Sequence, residues 1–105
     1  MKVAAWNNGR HHGSGAGYGV KLKAEDRDRY FQRTWTTVSI ELEGEVVPIS
    51  VNVGKASFWS PVCRELINQA IGAWLIKHRR APWPTGEPPS LDLIPSGGDH
   101  FHLRL

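Results

Sequence analysis

The residues with most chemistry to offer in this 105-residue chain are five histidines and a glycine-rich run near the N-terminus. Asn8, Arg10, His11, His12 and Ser14 all fall within Asn7–Gly19, which holds five of the eleven glycines. Successive backbone amides in such a turn can form a concave nest for an anion, and these side chains would add donors. The glycines at 13, 15, 17 and 19 are two apart, so the GxGxxG pattern is not met. The run also leads into strand-like sequence, whereas a dinucleotide loop opens a helix. No GK[ST] follows, which excludes a P-loop. A turn that uses glycine for its positive φ values is the simpler account of the segment.

His100 and His102 are two apart in an alternating stretch, so both imidazoles project from one face and can ligate one ion together. Asp99 precedes them, but the ligand count stops there. Cysteine pairs and HExxH are absent, so the zinc signatures are missing and no cofactor is expected. If Arg10, His12, His100 and His102 converge, acid–base chemistry on a phosphate ester becomes available. The single cysteine, Cys63, falls on an apolar stripe at an expected helix start and reads as a buried structural thiol. Tyr18, Trp35 and Trp83 belong to a set of aromatics, with Trp6, Tyr30, Phe31, Phe58 and Trp59, that gathers at element ends. Beside Arg29 and the neighbouring basic residues they can stack bases or clamp a polar ligand. Plugging the ends of a small sheet would use them equally well.

Elements must position these groups. Lys2–Trp6 reads as a strand, and Val20–Lys23 as another with Val20 and Leu22 inward. Glu25–Arg29 reads as a charged connection. Thr36–Leu42 alternates most clearly, with Thr36, Val38, Ile40 and Leu42 on one face. Glu43-Gly44-Glu45 turns the chain, and Val47, Ile49, Val51 and Val53 resume the pattern. Pro48 lacks an amide donor, which places this second strand at a sheet edge or gives it a bulge. Ser60-Pro61 reads as an N-cap and first helical residue. Cys63, Leu66, Ile67, Ala70, Ile71 and Trp74 then make one stripe, predicting a helix over about 61–79 that ends before Pro82. Leu75 and Ile76 fall off that stripe and need cover from residues 81–84 or from a partner. The four prolines of 81–90 suggest an extended, polyproline-like stretch. Leu91–Ile94 and His100–Leu105 close the chain as a hairpin. The expected fold is α+β: a mostly antiparallel sheet of about five or six strands with one long helix on one face, in a single domain spanning 1–105.

Composition narrows the class. The chain is 40% apolar with a net charge of +3, ordinary for a folded domain. The N-terminal residues carry no signal-peptide pattern, and no apolar run suits a membrane span. With one cysteine and no disulfide framework, a cytoplasmic location is expected. The mild positive charge permits nucleic acid without indicating it, since Glu25, Asp26 and Asp28 interleave with Arg27 and Arg29. The edge at Pro48 and the side chains of Leu75 and Ile76 point to a homo-oligomer.

The runs Ala5-Trp6-Asn7-Asn8-Gly9, Tyr30-Phe31 with Trp35, Phe58-Trp59 with Cys63-Arg64-Glu65-Leu66, and Ala81-Pro82-Trp83-Pro84 together resemble small bacterial proteins of unknown function. These are of the kind carried on mobile elements such as integron cassettes. The resemblance implies no catalytic or binding residue to carry over. The function expected is a non-enzymatic binding or accessory module for a polar or anionic partner, whether small ligand or protein. The alternative is a small hydrolase-like or metal-binding protein that uses the histidines and Arg10.

Overall fold

Alternation of apolar side chains decides most of the architecture. The computed structural model describes every residue from Met1 to Leu105. Strands β1 (Lys2–Asn7) and β2 (Tyr18–Lys21) form an antiparallel hairpin, with Ala4 opposite Lys21 and Asn7 opposite Tyr18. Helix α1 (Ala24–Tyr30) follows, then a second hairpin of β3 (Thr37–Leu42) and β4 (Ile49–Asn52). A 3₁₀ turn at Ala56–Trp59 leads to β5 (Glu65–Ile67), α2 (Gln69–Lys77), β6 (Ser90–Gly97) and β7 (His100–Arg104).

All seven strands join one sheet in the order β4-β3-β7-β6-β1-β2-β5. Neighbours are antiparallel except β3 and β7, which run parallel. The two edge strands curl back towards each other. Asn68, just past β5, donates its side-chain amide to the Ser50 carbonyl of β4 at 3.0 Å. The result is a nearly closed barrel, one solution to exposed sheet edges. Its interior holds a single cluster of 21 buried residues, including Val3, Val20, Ile40, Val51, Leu66, Leu93 and Leu103 from the seven strands.

This corrects the expected α+β arrangement of five or six strands under one long helix. The segment 61–79 divides in two. Ser60 does accept from an N–H three residues on, that of Cys63 at 2.9 Å, but no helix follows. Arg64 takes a positive φ of 67°, which breaks any helix there, and Glu65–Ile67 then pairs with β2. The helix starts only after Asn68, whose side-chain oxygen accepts from Ala70 N at 2.8 Å. It closes with Arg79 at φ 58° and Arg80 N–H bonded to Leu75 O at 2.8 Å, a Schellman-type end. Cys63 is consequently half-buried in an irregular segment rather than set in a first helical turn. The shortened helix turns Ile71, Trp74 and Leu75 inward at i, i+3 and i+4. Leu75 is thus core, which withdraws one of the apolar surfaces from which self-association was inferred.

Two other local readings change. Glu25–Arg29 lies within α1, where buried Arg27 donates to the Phe58 carbonyl at 3.0 Å and the Ser60 carbonyl at 2.6 Å. The proline-rich stretch is broken by a turn, with Glu87 N–H bonded to Pro84 O at 3.0 Å and Gly86 at φ 80°. Val47 and Pro48 precede β4 instead of lying in it, and Val47 is exposed rather than inward; the strand that follows does lie at the end of the sheet order.

Topology gives the barrel two unlike ends. One carries α1 and the starts of β3 and β7, and there Phe31 stacks on Phe101 with ring centres 4.7 Å apart. Phe58 and Trp35 pack edge-on against this pair. At the other end lie the β1–β2 loop and the β3–β4 turn. Here α2 closes the mouth, and Trp74 Nε1–H donates to Glu43 O at 2.8 Å.

Candidate functional site

The glycine-rich loop between β1 and β2 is fastened down. Gly15 lies directly on α2, so close that a Cβ on it would sit 2.3 Å from Ala73 N. The reverse contact is as tight, since a Cβ on Gly72 would lie 2.1 Å from Gly15 O. Gln69 adds a bond from its side-chain amide to Ser14 O at 3.2 Å. These glycines serve backbone approach between loop and helix. The loop end is braced by asparagines: Asn7 Oδ1 accepts from Gly9 N at 2.8 Å, and Asn8 Oδ1 from Arg10 N at 3.1 Å.

Fixing the loop places His11 over the barrel mouth. Its Nδ1 is 2.5 Å from the Tyr18 hydroxyl. Tyr18 is buried, and desolvation holds its hydroxyl above the ordinary value of 10.0. That phenol keeps its proton and has no other side-chain partner, so it donates to Nδ1. The His11 ring then carries its own hydrogen on Nε2 as a free donor. Trp83 completes the group, edge-on to His11 at 5.1 Å and to Tyr18 at 5.7 Å.

An open cleft of about 460 Å³ lies against this cluster. Trp6, Asn7 and His11 border it on the β1 side, and Trp83, Thr85 and Pro88 on the other. The indole N–H groups of Trp6 and Trp83 and the Thr85 hydroxyl bond nothing within the protein, whereas both ends of the Asn7 amide are engaged in the loop. The two indoles, Ala5 and Pro88 are the apolar part of a lining that is otherwise polar or glycine.

Of the residues singled out by type and spacing, Asn8, Arg10, His11, His12, Ser14, Tyr18 and Trp83 therefore lie around one loop and its neighbour. Only His11 and Trp83 among them line the cleft. Arg10 and His12 are exposed, and neither side chain has a partner. Arg29 and Trp35 lie elsewhere. Arg29 stacks over Tyr30 at 5.3 Å, and Trp35 belongs to the aromatic plug at the far end. His100 stands at that far end too, 3.4 Å from Asp99, and His102 pairs with Glu41 at 3.0 Å. His11 and His12 thus lie at the opposite end of the barrel from His100, His102 stands between on the wall of β7, and no three His, Cys, Asp or Glu side chains gather to hold an ion. Convergence of Arg10 and His12 with His100 and His102 does not occur.

Sequence reasoning named Trp6 only among the aromatics at element ends, and passed over Thr85, Pro88 and a second groove altogether. That groove, of about 400 Å³, is lined by Lys2, Lys21, Lys23, Arg64 and Ser90 together with the start of β1. The outward placement of Lys2, Ala4 and Trp6 is legible from strand period; the proximity of Arg64 depends on β5, which no pattern announced. A third, apolar groove of about 420 Å³ lies between the β3–β4 turn and α2, flanked by exposed Val46 and Val47.

No helix is long and apolar enough to cross a membrane. No known family, curated protein or solved structure matches this chain.

Proposed function

We propose that the protein is a non-enzymatic binding module that takes a polar or anionic partner in the cleft between Trp6 and Trp83. The observation that carries this reading is the His11–Tyr18–Trp83 cluster at the cleft wall, held by a loop packed backbone-to-backbone on α2. A pre-positioned wall lowers the ordering cost of binding. Trp6, Trp83, Thr85 and the His11 Nε2–H are donors, which suits an acceptor-rich ligand. Arg10 at the loop tip adds a positive charge free of any carboxylate.

Tryptophan fluorescence titrated with adenosine monophosphate, inorganic phosphate and glucose tests it. At least one should change the emission saturably, and Trp83→Leu should weaken that binding at least ten-fold. A featureless response to all three, or a Trp83→Leu variant that binds as the parent does, would count against the cleft.

A further inference from the structure

The basic groove and the aromatic cleft are consecutive along β1. Ala4 lines the first and Ala5 the second. Both are bordered by the chain entering β6, through Ser90 at one groove and Pro88 at the other. Strand period puts Lys2, Ala4 and Trp6 on one face of β1, away from buried Val3 and Ala5. Lys21 stands opposite Ala4 on this face, and Gly19 opposite Trp6. Gly19 contributes no side chain there, and none fits, because a Cβ would lie 2.2 Å from Leu66 O. On the β2 side Trp6 therefore meets no side chain, and it has no aromatic partner.

We propose that this strip along β1 binds a single-stranded nucleic acid, phosphates in the groove of Lys2, Lys21, Lys23 and Arg64 and bases against Trp6 and Trp83. The inference rests on the reading of the cleft as a binding site and names its partner class. The six residues of β1 span about 20 Å at ~3.3 Å each, room for a short run of nucleotides rather than a single small anion. A cationic track beside partly exposed aromatic rings is the combination that holds unpaired strands, because every base has a π-face. A duplex hides those faces. Two carboxylates temper the field: Asp92 pairs with Lys2 at 2.9 Å, and Glu65 lies 3.8 Å from Lys21. Four cations against these two leave the groove positive, and Lys23 and Arg64 face no carboxylate of their own.

The test is fluorescence anisotropy of a fluorescein-labelled twelve-nucleotide oligo-dT, read across a salt series. The expected log–log salt slope is about −3, since single strands release roughly 0.7 counterion per phosphate contact and four cations line the groove. Lys2→Ala/Lys23→Ala should weaken binding about twenty-five-fold at ~0.1 M salt, two contacts' worth. Both lysines are exposed, so the variant folds; Lys21 is left alone because it is the partner of buried Glu65. Trp6→Ala should weaken binding roughly ten-fold with the salt slope unchanged, a signature of lost stacking that a general charge effect lacks. No oligo-dT binding, or equal binding to a duplex of the same length with Trp6→Ala inert, overturns the proposal. If the monophosphate titration persists while oligo-dT fails, the strip falls and the cleft stands. Loss of both removes both.

Discussion

At the residue scale the decisive group is Tyr18. Sequence named it as one of the aromatics that could clamp a ligand, but its role is to orient His11 from beneath. Nothing in the sequence links residues 11 and 18 to Trp83, because that contact depends on how the β1–β2 hairpin meets the chain before β6. The Tyr18 hydroxyl also leaves a thermodynamic mark. Its ionisation is raised above 10.0 by burial. The unfolded chain, with an ordinary phenol, loses its proton first, so the contribution is intact below about pH 10 and is lost as pH climbs through the raised value. Tyr18→Phe should abolish that alkaline loss while lowering neutral-pH stability by about 1 kcal/mol for the missing bond to His11. Thermal melts from about pH 8 to 11 check this; an unchanged alkaline slope in the variant would show that the phenol is not buried as described.

At the element scale, period-two alternation identified β3 and β7 well, because each shows an inward row facing the core; it overran β4 at Val47, which is exposed, and stopped short in β6, which continues through Pro95–Gly97. It failed at 61–79 for a physical reason. Three residues of β5 are too short to declare a period, and their apolar pair Leu66-Ile67 lines up by chance with the helical stripe that follows. Ser60 and Asn68 are both good caps; the positive φ at Arg64 and the vacant edge of β2 decide between them. The glycines were likewise legible as special but not as packing residues. Gly72 now separates the two possibilities. Alanine in a helix interior ordinarily gains ~1 kcal/mol over glycine. Here its Cβ would sit 2.1 Å from Gly15 O, and overpacking of that kind costs about 1–3 kcal/mol. Gly72→Ala should therefore be destabilised in urea unfolding, and a more stable variant would mean the loop does not rest on α2.

At the scale of the whole molecule, the barrel explains why the histidines gave a misleading constellation. His11 and His12 belong to the end closed by α2, whereas His100 opens β7 at the end closed by aromatic rings. Strand order carries that separation: β6 stands between β1 and β7, and the loop and the start of β7 lie at opposite ends of it. Chain order can suggest strands, but closure needs the pairing of β3 with β7 and the approach of β5 to β4, both non-local. Pairing of β5 with β2 brings Arg64 beside Lys2, Lys21 and Lys23, so the basic groove is a property of the sheet and of no single segment.

The central claim is that recognition happens at the Trp6–His11–Trp83 end of β1, and backbone amide shifts report it residue by residue. In a proton–nitrogen correlation spectrum titrated with adenosine monophosphate, inorganic phosphate and glucose, saturable shifts should centre on Asn7, Gly9, His11, Thr85 and Gly86, with the indole N–H signals of Trp6 and Trp83. Shifts centred instead on Glu41, Asp99, His100 and His102, or none with any of the three, would contradict it.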